Sequence, residues 1–377
     1  MGAKMITTRA IPAQRYDFSD EDVELILTQF GSLLRTRSFL SMGAYCAAFE
    51  ERFAAYVGSS HAVSVSSGTG ALEIILRACD LAGSEVIVPT NTFAATAFAV
   101  VHAGATPVFA DCGDDLLLDL DDVERRLTPA TRAVIVVHIG GLVSPGMDRL
   151  QELCRSRGLM LIEDAAHAHG SRLNGICAGT FGDAAAFSFF STKVMTTGEG
   201  GMITTASAEI AARARTLRDQ AKVDGVNRHD LIGYNWRMAE VQAILGLAQL
   251  ARLDEFIEAR RRVARIYDQV LRQEPQRLRP LEIPPGAAPN YYKYVVFADS
   301  DVAHITSRLA AERRVRLGGA VYDVPCHQQP AFSHLVRAPV LPRAEHLCRH
   351  HICPPIYPSL TDDDASYVAE SLIEVVS

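Results

Sequence analysis

The chain lacks most of the features that would set it apart from ordinary globular proteins. It has one tryptophan, and aromatic residues make up only 7% of its 377 residues. Basic side chains are not in excess. Lys and Arg number 37 against 44 Asp and Glu, a net charge of −7, which argues against nucleic acid as a partner because phosphate backbones need a basic face. Cys46, Cys79, Cys112, Cys154, Cys177, Cys326, Cys348 and Cys353 form no Cys-x-x-Cys pair, so no metal site is expected and the thiols are expected to be reduced and buried. Residues 1–15 lack an apolar core of signal-peptide length, and the longest weakly polar stretch, 92–101, is too short to span a bilayer. No membrane contact and a cytoplasmic location are expected. Repeats and low-complexity tracts are missing too.

What is present is a core. Hydrophobic residues at 48% and charged residues at 21% suit a chain that buries a large interior, and its length suits two domains. Apolar residues recur at helical spacing over 21–34 and 47–57, after an extended arm over 1–20. From residue 61 short apolar runs (61–66, 85–90, 106–111, 133–139, 159–164, 184–190 and 202–205) alternate with helical stretches (71–79, 94–103, 121–127 and 147–157). Runs that are apolar on both faces belong to strands covered by helices on both sides, so the pattern predicts an α/β fold with a mostly parallel seven-stranded sheet. An apolar stripe over 238–273 predicts one long, bent helix leading from a large domain, residues 1–250, into a smaller α+β domain, residues 251–377. In that second part, 291–299 reads as a strand, 303–312 as a helix, and 362–376 as a closing helix.

Four strand ends carry chemistry. Ser66-Ser67-Gly68-Thr69-Gly70 follows the first run and opens a helix; it is either a plain N-cap or a cradle whose backbone amides receive a phosphate. It is neither a Walker loop nor the glycine fingerprint of a nicotinamide dehydrogenase. Phe93, after the second run, either packs in the core or offers its face to a planar ring at the ligand-binding edge of the sheet. Glu163 and Asp164 end the fifth run, where a carboxylate must be exposed or paired. A metal held by Asp164, His167 and His169 would crowd three ligands on one loop and find no fourth. Lys193, the only basic residue between Arg172 and Arg213, stands where an apolar strand opens into Gly198-Glu199-Gly200-Gly201. Alone it is a capped cation or a reactive amine. Phosphate cradle, aromatic face, strand-end acid and lone lysine together are what pyridoxal 5′-phosphate requires: the lysine forms the Schiff base and the acid keeps the pyridine nitrogen protonated.

With those residues in view the chain resembles the DegT/StrS-type aminotransferases, pyridoxal-phosphate-dependent enzymes of fold type I that act mainly on nucleotide-linked keto-sugars. The resemblance runs through Ser66-Ser67-Gly68-Thr69-Gly70, Glu163-Asp164-Ala165-Ala166-His167, Gly198-Glu199-Gly200-Gly201, Gly233-Tyr234-Asn235-Trp236-Arg237 and Pro325-Cys326-His327-Gln328-Gln329-Pro330. It implies that Lys193 is the Schiff-base lysine and proton shuttle, and that Asp164 partners the ring nitrogen. It implies Phe93 as the stacking residue, Ser67, Gly68, Thr69 and Ser188 as phosphate ligands, and Asn235 as a phosphate contact from a second subunit of a homodimer with shared sites. The small molecules implied are an amino-acid donor, glutamate, and a keto-sugar acceptor.

The chain also departs from the pattern. His167 stands where the family usually has a glutamine bonded to the cofactor's phenolic oxygen, and a neutral histidine can donate one such bond. His138-Ile139-Gly140-Gly141 lacks a usual tyrosine, which leads to extra room beside the substrate. Lys293 replaces a family histidine. With His138, Tyr322 and His327 it is a candidate substrate contact. A cyclitol ketone is an alternative acceptor that every catalytic residue would serve equally. A non-catalytic, regulatory cofactor-binding protein is the alternative of another class, and the intact Lys193 and Asp164 argue against it. Lys193 also argues against the sugar dehydratases of the family, which carry histidine there.

Overall fold

The computed structural model describes residues 10–222, 228–335 and 340–376. The first nine residues of the expected arm therefore lie outside the described ones.

Helices α1 (Asp20–Thr36) and α2 (Ala44–Val57) precede β1 (His61–Val65). Ser19 and Asp22 start α1 with a capping box, each side chain accepting the other's backbone N–H. Then come α3 (Gly68–Ala78), β2 (Glu85–Pro89), α4 (Ala94–His102), β3 (Thr106–Ala110), α5 (Leu120–Arg126), β4 (Thr131–Val137), α6 (Met147–Arg157) and β5 (Met160–Asp164). A small hairpin of β6 (Arg172–Leu173) and β7 (Ile176–Cys177) leads into β8 (Ala184–Ser188), β9 (Gly201–Thr205) and α7 (Ala208–Arg218). The seven-stranded sheet has the order β1-β9-β8-β5-β4-β2-β3, and β9 alone runs against its neighbours.

Alternation along the strands divides the interior in two. Ile87, Val134, Val136, Leu161, Ala185 and Phe187 face one core with Phe49 and Phe53 of α2 and Leu150 of α6. Val86, Val88, Ile135, Ile162, Ala184 and Ala186 face the other with Ile75 of α3, Val100 of α4 and Ala214 of α7. The eight cysteines are unpaired, and all but the half-buried Cys79 are buried.

The long helix expected over 238–273 is two helices, α8 (Glu240–Ala251) and α9 (Leu253–Leu271). Arg252 leaves helical geometry between them (φ −110°, ψ 6°). α8 packs against α2, and α9 keeps Leu253, Phe256 and Ile257 in that same core before Val263, Tyr267 and Leu271 enter the core of a second, antiparallel sheet. Arg252 spends its guanidinium on Asp17, Asp22 and Glu255 at the break. The second sheet joins β10 (Leu278–Pro280), β12 (Val296–Ala298) and β13 (His351–Ile352), while β11 (Ala287–Ala288) pairs with β6. α10 (Val302–Arg313) and α12 (Asp362–Val376) complete that core with Tyr267 of α9, and α11 (Pro342–Arg349) is a helix that the Pro- and His-rich sequence hides. The strand expected over 291–299 is only β12. Tyr291 takes a positive φ of 51°, and Lys293 donates its backbone N–H to Gly140 O, so 290–294 turns toward the large sheet.

Candidate active site

β1, β2, β4, β5 and β8 point the same way, so the loops that leave them converge on one edge of the sheet. A cavity of about 250 Å³ opens there, lined by Ser67, Gly68, Thr69, Phe93, Asp164, His167, Ser188, Lys193, Glu199 and Tyr322. It meets an outer chamber of about 530 Å³ that shares Phe93, His167, Lys193 and Tyr322 and adds Thr192, Tyr292, Lys293, Asp323 and Gln329.

The cradle is a tight one. Ser67 caps α3, its Oγ accepting the N–H of Gly70 at 3.0 Å, and the other first-turn amides are those a helix leaves unpaired. A side chain at position 68 would place its Cβ 2.7 Å from Ser188 Cβ, so only glycine lets the turn lie against β8. Such a helix start, with Thr69 and Ser188 beside it, suits a phosphate.

Asp164 is 7% exposed. Its Oδ2 accepts from Thr96 Oγ1 at 2.7 Å and its Oδ1 from the N–H of Ala166 at 3.2 Å. Burial raises its pKa, opposed by those two hydrogen bonds and by Lys193. Its carboxylate forms no ion pair among the described residues although it lines the cavity, so it suits a cationic group such as a protonated ring nitrogen. Phe93, 63% exposed, leaves a large apolar face in the cavity wall, with the Tyr322 ring 6.2 Å away.

Lys193 follows β8, and its backbone N–H donates to Phe190 O. Its Nζ lies 4.9 Å from the centroid of the Tyr292 ring. Burial lowers its pKa to about 8, Asp164 opposing and Lys293 adding to the shift. With a pKa of about 8, roughly a tenth of such amines is neutral at pH 7, against well under a thousandth for an ordinary lysine, and the neutral form is the nucleophile. These residues fit pyridoxal phosphate.

His167 lines both chambers, but both ring nitrogens are engaged. Nδ1 accepts the N–H of Gly140 at 3.3 Å and Nε2 lies 3.1 Å from Tyr322 Oη. Its ring packs on Tyr292 with centroids 4.2 Å apart. Burial pushes its pKa far down, and so do the charges of Lys193 and Lys293. The room expected at Gly140 is taken by the Lys293 backbone, and Gly140 borders neither chamber. Lys293 reaches the outer chamber, its Nζ donating to Gly318 O at 2.8 Å.

Two candidate substrate residues are elsewhere. His138 is fully buried and pairs through Nε2 with Glu163 at 2.8 Å. His327 is a brace, its Nδ1 2.7 Å from Thr90 Oγ1 and its Nε2 3.1 Å from Glu345 Oε1. Asn235 is exposed and outside the cavity of its own chain. Thr96 and Tyr292 are the contacts that reading the sequence missed. A threonine pair at 92 and 96, one helical turn apart in an otherwise apolar stretch, was the available signal for Thr96; Tyr292 had none.

Residues 21–373 match the model of the DegT/DnrJ/EryC1/StrS aminotransferase family. The chain is 35% identical to a GDP-perosamine synthase of Vibrio cholerae over 336 residues, covering 88% of this chain and 91% of that one. It is 35% identical to the dTDP-4-dehydro-2,3,6-trideoxy-D-glucose 4-aminotransferase of Saccharopolyspora spinosa over 374 residues, 94% of each. Its fold superimposes on DesV of S. venezuelae, crystallised in complex with a ketimine intermediate, with a TM-score of 0.88, 35% identity, and 95% and 94% of the two chains covered.

Proposed function

The chain belongs to the DegT/DnrJ/EryC1/StrS aminotransferase family, and we propose that it moves the amino group of glutamate onto a ketone of a nucleotide-linked keto-deoxysugar, using pyridoxal phosphate. The observation that carries this reading is the meeting of Lys193, Asp164, Phe93 and the Ser67-Gly68-Thr69 turn, drawn from separate strand ends, in one cavity. The sugar part rests on the named activities of relatives alike over nearly their whole length.

When bound, the cofactor supplies an electron sink that stabilises negative charge beside the carbon being aminated. The protein does the rest. The first-turn amides of α3 would hold the phosphate with Thr69 and Ser188. Thr96 and the Ala166 N–H orient Asp164 and favour its ionised form, which keeps the ring nitrogen protonated. Phe93 would cover one face of the ring and limit water there. Lys193 is the residue that would hold the cofactor covalently, and its Nζ, once free, would serve as the general acid and base that moves the proton. The outer chamber receives donor and acceptor in turn.

We further propose a homodimer in which Asn235 completes the phosphate site of the partner subunit. Phe39 and Ile232, 87% and 84% exposed, are the kind of apolar surface a second subunit covers. Mixing Lys193→Ala with Asn235→Ala subunits would then restore activity in hybrid dimers, and a monomer by light scattering would overturn the shared site.

The test of function is a visible spectrum followed by an amine-transfer screen. The expected result is a yellow band that bleaches with glutamate and returns with a keto-sugar nucleotide. Recovery with a cyclitol ketone alone would overturn the sugar assignment, and no band after adding pyridoxal phosphate would overturn the cofactor.

A further inference from the structure

The hydrogen bonds of His167 decide where a neighbouring proton goes. Gly140 donates its N–H to Nδ1, so that nitrogen carries a lone pair. Burial keeps the imidazole neutral, with Lys193, Lys293 and His169 acting in the same direction. A neutral ring with a lone pair on Nδ1 has its proton on Nε2. Nε2 lies 3.1 Å from Tyr322 Oη, so the tyrosine oxygen is the acceptor in that contact. The hydroxyl proton of Tyr322 is left over, and no acceptor lies within hydrogen-bonding distance of it among the described residues. The phenol also keeps its proton, since burial pushes its pKa well above the usual value and Asp164 adds to the shift. An unspent donor thus stands in the wall of the inner cavity, beside Asp164 and Phe93.

Pyridoxal phosphate presents three polar groups besides the carbon that Lys193 takes. The phosphate matches the amides at the start of α3, and the ring nitrogen, a cation when protonated, matches Asp164. The phenolic oxygen is an acceptor and needs a donor. We propose that Tyr322 donates this hydrogen bond, and that His167 is a positioning residue that acts through Tyr322 by fixing the direction of its hydroxyl. The assignment rests on the cofactor reading above. It replaces the direct contact from position 167 that the sequence suggests, because the only donor of His167 is already used.

The titratable groups facing the hydroxyl are His167, Asp164, Tyr292 and Cys326, with Lys193 and Glu199 on the inner cavity and Lys293 and Asp323 on the outer chamber. None of them is altered by Tyr322→Phe, which removes one oxygen and keeps the ring.

The experiment is a pH titration of the visible absorption of purified protein loaded with pyridoxal phosphate, as wild type, Tyr322→Phe, His167→Ala and the double variant. A phenolate without its donor holds the proton it shares with the Schiff-base nitrogen more tightly. Tyr322→Phe is therefore expected to keep the band and to raise its titration midpoint by roughly one to two pH units, the effect of one hydrogen bond to a charged group. His167→Ala shifts it the same way and less, and the double variant goes no further than Tyr322→Phe. A Tyr322→Phe protein that titrates at the wild-type pH overturns the assignment, whatever His167→Ala does. A wild-type protein without the band overturns the cofactor reading instead.

Discussion

Lys193 and Lys293 are held against one ring: their Nζ atoms lie 4.9 Å and 5.6 Å from the centroid of Tyr292. The reacting lysine thus has a second cation for a neighbour beside the same ring. Burial is the larger reason that the Lys193 pKa falls to about 8, and Lys293 contributes in the same direction.

Replacing Lys293 should therefore make Lys193 more basic. Lys293→Gln is expected to raise the pKa of Lys193 in the apoprotein by about half a unit to one unit, the size of a screened interaction across such a gap. Lys293→Arg should leave it in place. The pH dependence of the rate at which the apoprotein takes up pyridoxal phosphate reports it. An unchanged profile in Lys293→Gln would show that Lys293 has no part in setting the value.

A lysine whose pKa is lowered on folding costs stability when it is protonated. The cost is full below the folded value of about 8 and vanishes above the unfolded value near 10.5. The Lys193→Met apoprotein is thus expected to be more stable at pH 7, by roughly 1–3 kcal/mol, with the gap closing as pH rises from 8 toward 10.5. It should also lose turnover by at least about a thousandfold. Denaturant unfolding of both proteins at pH 7 and pH 10 checks the first part. Equal gaps at the two values would refute it.

Thr96→Val removes the shorter of the two hydrogen bonds that oppose protonation of Asp164. The carboxyl pKa, already raised by burial, rises further. A protonated Asp164 no longer holds a cationic ring nitrogen. The expected result is a Kd for pyridoxal phosphate weaker by roughly ten- to a hundredfold, with the defect growing as pH falls and easing as it rises. Equal affinities across the pH range would separate Thr96 from the acid.

Glu163 is adjacent to Asp164 and does different work, because neighbours in a strand point to opposite faces. Its buried carboxylate accepts N–H groups from Gly179, Phe181 and Gly182, each at 2.8 Å, and meets His138 Nε2 at the same distance. Glu163→Ala strands those donors in the interior, and a loss of about 3–5 kcal/mol is expected in denaturant unfolding. Glu163→Ala that unfolds like the wild type would refute this anchoring role.

How far the sequence could be read shows in particular residues. Lys193 and Asp164 were visible because a charge at the end of an apolar strand conflicts with its surroundings, and that conflict is local. The break at Arg252 was not visible. The apolar stripe runs through it unbroken, and the partners that hold Arg252 at the break include Asp17 and Asp22, more than 200 positions away in the chain. His327 looked like a ligand residue from its loop, yet its ring nitrogens are taken by Thr90 and Glu345, 237 and 18 positions away.

The α/β order of elements, the charged and glycine-rich strand ends, and the residue types that stand there can be read from the chain alone. Those follow from period and polarity, which act over a few residues at a time. Which hydrogen bonds those residues have left to give is settled by the folded chain. Thr96 reaches Asp164 across 68 positions, Gly140 sets the tautomer of His167 across 27, and His167 meets Tyr322 across 155. A donor's partner is a matter of ångströms in the folded chain, and no pattern of neighbours along the sequence encodes it.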